Sequence, residues 1–264
     1  MRVSILCLIV AAGLAAGVAR GACTPIRLGY TDQALPPYYL GSGSAEASPP
    51  GATVELIREI VASTGCTVVA VRLPLARIPM ALEAGLIDAA PVYLQDKDAM
   101  TFAYPRDKNG EADLASSVQA ATVVFVRASD KLASDTDPIK YFKGRKLGLA
   151  HGSVAAGALR AAGIVVDDGA VDTARNLDKL KRGRIDGFAI GLASPGDMDA
   201  YIARRDGAAI VRLDKPLRTV NIWLATNKQY HARNTEQVEA MWRWIALHGR
   251  SRFSALMAEY ADKQ

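Results

Sequence analysis

The chain has 264 residues, half of them hydrophobic, and 32 Lys and Arg face 27 Asp and Glu. That length can bury a sizeable core in one large or two medium domains, and the small cationic excess excludes the dense basic surface that nucleic acid demands. The three His and three Cys show no metal-ligand spacing, and no nucleophilic triad or phosphate loop is present as a motif, so no metal and no cofactor are expected.

Met1-Arg2 precedes an apolar run over 3–18 and then Ala19-Arg20-Gly21-Ala22, the layout of a secretory signal peptide over 1–22. The run contains Gly and Ala and is short for a permanent span. The mature chain is therefore expected to begin at Ala22 or Cys23 and to work in the periplasm, with lipidation of Cys23 as an alternative. Without Arg2 and Arg20 the cationic excess falls to three. Cys7 leaves with the signal, which pairs Cys23 with Cys66 as the expected disulfide of an oxidising compartment. Both precede apolar stretches, so neighbouring parallel strands would put them at one sheet edge.

Apolar runs then alternate with helical patterns: strand 26–30, a Gly-Ser-Ala-Pro loop over 41–51, helix 53–64, strand 67–71, helix 78–84 and strand 87–92. Within the first helix Val54, Ile57, Ile60 and Val61 share a face, and Gly65 stops it. The second half repeats the order with strand 146–150, helix 154–162, strand 164–166, helix 174–182 and strand 185–190. Alternation of this kind predicts an α/β fold with parallel sheets. The β-branched runs 121–126 and 220–226 read as strands crossing between the halves. Val238, Met241, Trp242, Ile245, Phe253, Leu256 and Met257 have the helical spacing of a C-terminal segment packed on the first half.

An internal repeat supports two lobes. Leu82-Glu-Ala-Gly85-Leu-Ile87-Asp88 and Leu180-Lys-Arg-Gly183-Arg-Ile185-Asp186 both read L-x-x-G-x-I-D. In each, a glycine suited to the left-handed conformation closes a helix and an apolar strand follows, with the Asp holding the junction.

In order and spacing, the opening strand IRLGYT with Pro36-Pro37-Tyr38-Tyr39, the stretch RIPMALEAGLIDAAP, Phe102-Ala-Tyr-Pro105, VVFVRAS, the segment 143–153 and LKRGRIDGF resemble the extracytoplasmic solute-binding proteins of ABC uptake systems, in particular the amino-acid-type family 3. The resemblance covers nearly all of the mature chain. It implies a type II periplasmic-binding-protein-like fold: lobe 1 over 23–122 plus 222–264, lobe 2 over 123–221, each a parallel sheet flanked by helices, joined by two hinge strands and closing on a ligand. It also implies a monomer that works with a membrane permease or receptor.

The family's amino-acid binders hold the ligand carboxylate with an Arg before the Phe-x-x-Pro segment. Here Lys97 is the only cation in that place. They hold the ammonium with an acid shortly after the second repeat, where this chain has Ala189-Ile190-Gly191-Leu192. A buried ammonium without a counter-charge is costly, so a standard α-amino acid is not the expected ligand.

Strand carboxyl ends place Tyr38, Tyr39, Tyr93, His151, Gly152 and Ser153 near the cleft. Tyr38 or Tyr39 would offer an aromatic platform. The N–H groups of Gly152 and Ser153 would attract an anion, unless Ser153 merely caps its helix. Arg77 and Lys97 would supply cations. Three function classes follow: capture of a small polar or anionic ligand for uptake, a sensory or accessory role on the same closure, and a periplasmic dehydratase with His151 and Glu55 as its acid–base candidates. The first is expected, and an enzyme is not.

Overall fold

The computed structural model describes residues 23–94 and 101–261; the expected signal peptide over 1–22 and Lys97 lie outside them. Lobe 1 is built on β1 (Ile26–Thr31), β2 (Val68–Leu73) and β3 (Ala89–Val92), which run parallel and are linked by α1 (Ala52–Ala62) and α2 (Ile78–Glu83). Lobe 2 repeats the plan with β6 (Lys146–Ala150), β7 (Val165–Ala170) and β8 (Gly187–Leu192), linked by α4 (Ala155–Ala161) and α5 (Thr173–Lys181). Between them stand β5 (Ser117–Arg127) and β10 (Arg218–Asn227), antiparallel to each other. The strand order β2-β1-β3-β10-β5-β8-β6-β7, with β4 (Phe102–Ala103) beside β10 and β9 (Ile210–Arg212) beside β5, makes one continuous sheet of two lobes. Lobe 2 also carries α3 (Pro138–Tyr141) and α6 (Asp199–Asp206).

The two central strands are the hinge. β5 pairs with β10 over 117–122 and with β8 over 121–125, and β10 pairs with β3 over 223–226. Each therefore enters one lobe and leaves through the other. Both are longer than their apolar runs, because Ser117, Gln119, Arg218 and Thr219 are polar residues placed in a strand by pairing with the opposite hinge strand.

Val54, Ile57, Ile60 and Val61 are buried against the sheet. Beyond α7 (Lys228–Arg233), the C-terminal segment is α8 (Thr235–Trp244), a π-helical turn over Ile245–Gly249, and α9 (Arg250–Ala261). It packs on α1: Arg252 grips Glu59 with Nε and Nη2 at 2.8 and 2.7 Å, and the Tyr260 hydroxyl donates to Glu55 at 3.2 Å. The Cys23–Cys66 disulfide is formed, with Cα atoms 5.4 Å apart across a sequence separation of 43. Closing a loop of that length stabilises by about 4 kcal/mol on chain-entropy grounds.

The two repeats are built alike. Gly85 and Gly183 have φ of +68° and +66°, the left-handed close of a helix. Asp88 accepts the Arg27 N–H at 2.8 Å and returns its own N–H to the Arg27 carbonyl. Asp186 does the same with Lys146 on β6, at 2.8 Å. Each Asp thus clamps the junction to the neighbouring parallel strand. The end of a hinge strand seals each one: Asn227 Nδ2 donates to the Leu82 carbonyl at 2.8 Å, and Arg127 Nη1 to those of Leu180 and Ile185 at 2.9 and 2.7 Å. Carbonyls left over at the helix ends find donors there.

Candidate functional site: the cleft between the lobes

Parallel strands in both lobes aim their carboxyl ends at the other lobe, and the turns that follow them meet. After β6, Gly152 (φ +81°) lies against Ala76, which follows β2; a Cβ at 152 would fall 2.6 Å from the Ala76 nitrogen. After β1, Tyr38 reaches the turn that follows β8: its hydroxyl donates to Asp197 and accepts the Ala193 N–H at 2.6 Å, while Asp197 also takes the Ser194 N–H at 2.7 Å. The Tyr38 ring rests on Phe253, centroids 6.1 Å apart. Burial, then the Asp197 carboxylate, push its phenol well above the ordinary value. The lobes are in contact at both places, so this is a closed arrangement.

Tyr39 turns into lobe 1, where it stacks on Tyr30 at 5.7 Å, and burial pushes its phenol up to about 12. Tyr30 donates to Glu46 at 3.2 Å under the Arg72 guanidinium. Arg72 is only 6% exposed and donates to the carbonyls of Ala45 and Gly41 at 2.8 and 2.7 Å, tying down the Gly-Ser-Ala-Pro loop. That loop is therefore held by a buried cation on backbone oxygens.

At the end of β3, the Tyr93 hydroxyl accepts from Arg218 Nη2, and the guanidinium carbon sits 4.8 Å from the Tyr93 ring centre. Among the described residues Arg218 makes no ion pair. Its register partner across the hinge is Thr122, which pairs in turn with Gly191. Arg77 ends a 3-10 turn over Leu75–Arg77, beside Ala76, and is exposed. His151 is exposed, with Nδ1 3.2 Å from the Asp168 carbonyl. The Ser153 N–H donates to the Ala150 carbonyl at 3.0 Å, and α4 begins without a side-chain cap. Ser153 thus neither caps the helix nor offers its own N–H to an anion.

The structure brings Tyr38, Tyr93, Arg77, His151, Gly152 and Ser153 to the facing ends of the lobes and leaves Tyr39 in the lobe 1 aromatic cluster. Asp197 and Arg218 were not singled out from the sequence. Their only local signals are a Ser-Pro-Gly turn before the one and the edge of an apolar run after the other. Glu55 accepts from Tyr260 and His151 faces a carbonyl, so the two acid–base candidates have separate partners. Among the described residues no group of three or more His, Cys, Asp and Glu is placed to hold a metal ion.

No protein-family model matches this chain, and no curated protein matches it. Solved structures do. An amino acid ABC transporter substrate-binding protein from Streptococcus pneumoniae, bound to L-arginine, is 14% identical over 90% of this chain and 94% of its own, with a TM-score of 0.67. A histidine kinase sensor domain with similarity to periplasmic binding proteins is 18% identical over 91% and 97%, TM-score 0.67. A mutant of ArgBP from T. maritima is 17% identical over 89% and 94%, TM-score 0.64. At such identities the likeness establishes the fold alone, the two-lobed periplasmic-binding-protein-like α/β fold that the family resemblance implies.

Proposed function

We propose that the protein is a periplasmic solute-binding protein that captures a small polar or anionic molecule between its lobes and presents it to a membrane permease for ABC-type uptake. The observation that carries this reading is the pair of interlobe contacts, Gly152 on Ala76 and Tyr38 on Asp197, formed across two hinge strands. A molecule whose lobes meet through turns that follow its strands, across two hinge strands, can exchange those contacts for a ligand and close again around it. The cations near the cleft favour an anion: Arg218 has no ion-pair partner among the described residues, and Arg77 stands exposed beside the contact.

The ligand is not a standard α-amino acid on this reading. β8 carries no carboxylate over Gly187–Leu192, and Asp197, the next acid along, is bonded to Tyr38. A sensory or accessory role would use the same closure, and the fold's likeness to a kinase sensor domain supports keeping it as the second reading. The test is a thermal-shift screen of residues 23–264 against dicarboxylates, other small organic acids, sugars, polyamines and amino acids. A ligand of the folded state raises the melting temperature with dose. A rise with organic acids supports the proposal; a rise confined to amino acids overturns the ligand class.

A further inference from the structure

Charge is divided unequally between the lobes. Lobe 2 (123–221) carries 17 Lys and Arg against 12 Asp and Glu, whereas 23–122 with 222–264 carries 13 against 15. The excess is concentrated at one end of lobe 2. The turn Lys143-Gly-Arg145-Lys146 enters β6, and Arg182-Gly-Arg184 leads from α5 toward β8. The Asp186–Lys146 clamp sets the two turns side by side at the amino ends of the strands. Lys143, Arg145, Lys146, Arg182 and Arg184 are all exposed, and none makes an ion pair among the described residues.

Nearby carboxylates are already taken. Asp167 holds Lys179 at 2.7 Å, Asp178 holds Arg205 at 2.6 Å, and Asp172 holds Arg175 at 3.3 Å. Val165, the register partner of Lys146 on the edge strand β7, is 47% exposed among these cations. A groove of about 220 Å³ runs from Arg182 and Arg184 along α5, past Asp178 and Lys179, to Gly169 and Ala170 at the other end of β7.

We infer that the amino-terminal edge of lobe 2 is a docking surface for an anionic phospholipid bilayer. Lys143, Arg145 and Lys146 stand on one exposed turn and Arg182 and Arg184 on another beside the α5 groove, a spread of cations over two turns that suits an extended array of phosphates. The opposite net charges of the lobes give the molecule an electrostatic polarity that an extended negative plane orients, lobe 2 inward. Val165 supplies an apolar contact among the cations. The edge lies at the far end of lobe 2 from Gly152 and the cleft, so docking leaves ligand entry open. This inference does not depend on what the cleft binds.

The test is co-sedimentation of residues 23–264, which contain every described element, with vesicles of phosphatidylcholine alone and with added phosphatidylglycerol. The protein is expected to bind only the anionic vesicles and to be released at about 0.5 M salt, where the screening length falls to a few ångströms. Reversal at R182E/R184E, and separately at K143E/K146E, is expected to weaken binding about tenfold or more with no change in melting temperature. No binding to anionic vesicles, or equal binding by both reversed variants, overturns the inference. Binding to poly-glutamate without binding to vesicles overturns it in favour of an acidic protein partner. The thermal-shift screen of the cleft reads out separately from all of these.

Discussion

Gly152 and Ala76 belong to different lobes, and the backbone of one leaves no room for a side chain on the other: a Cβ at 152 would lie 2.6, 2.7 and 2.7 Å from the Ala76 nitrogen, Cα and Cβ. The closed arrangement thus depends on a glycine at this place. Gly152→Ala is expected to shift the lobes apart in solution, seen as a larger radius of gyration by small-angle X-ray scattering. The positive φ adds a strain of about 1 kcal/mol whether the lobes are open or closed. An unchanged radius would mean that the contact is not populated.

Tyr38 and Asp197 form the second contact, and their coupling is measurable. Tyr38→Phe keeps the ring on Phe253 and removes the hydroxyl that serves both Asp197 and the Ala193 N–H. A double-mutant cycle of Tyr38→Phe with Asp197→Asn is expected to give a coupling of about 1 kcal/mol in denaturant unfolding. Strict additivity would place the two residues apart in solution.

The repeated Asp residues share a role but not a burial. The Asp88 side chain is 7% exposed and binds Arg27 through the backbone N–H, Nε and Nη2. Asp186 is 36% exposed. Asp88→Ala leaves the part-buried Arg27 N–H without its partner and breaks a pair whose Arg27 side is 44% exposed and screened by water, an expected loss of about 2 kcal/mol. Asp186→Ala is expected to lose about 1 kcal/mol, since water can replace the carboxylate. Equal losses by chemical denaturation would show that burial does not decide the cost.

The repeat illustrates what the sequence makes legible. L-x-x-G-x-I-D encodes a helix stop and a strand start locally, and the apolar alternation around it encodes the parallel sheets, so both lobes and the hinge runs can be read before folding is known. What Asp88 and Asp186 hold cannot be read this way, because their partners Arg27 and Lys146 are set by strand neighbours distant in sequence. The strand starts at Ala89 and Gly187 rather than at Ile87 and Ile185, since each Asp is spent on the clamp before the pairing begins. The hinge ends are polar and carry no strand signal of their own. The cleft was legible as strand ends, which brought in Tyr38, Tyr93 and 151–153. Asp197 and Arg218 were hidden because they join the site only through contacts between segments with no local pattern.

Acid should loosen lobe 2 through Asp167. Burial acts to raise its carboxyl, but the hydrogen bond from Lys179, the Gly169 N–H and the charges of Lys179 and Lys146 outweigh it, so the group lies below its ordinary 3.8. A carboxyl lowered on folding contributes stability that is present above the unfolded value and lost as pH falls through the folded one. The melting temperature is expected to fall below about pH 4, and Asp167→Asn is expected to flatten part of that fall. An unaltered acid limb in the variant would remove Asp167 from the account.

The central claim is that two lobes close about β5 and β10 on a small solute. It is tested most directly by small-angle X-ray scattering on residues 23–264, without solute and with the compound giving the largest melting-temperature rise in the thermal-shift panel. The account predicts a wider distribution of radii without solute, which narrows to the compact closed form when it is added, and a Gly152→Ala variant that fails to narrow. A single unchanged distribution with and without a solute that raises the melting temperature would contradict closure as the way this protein binds.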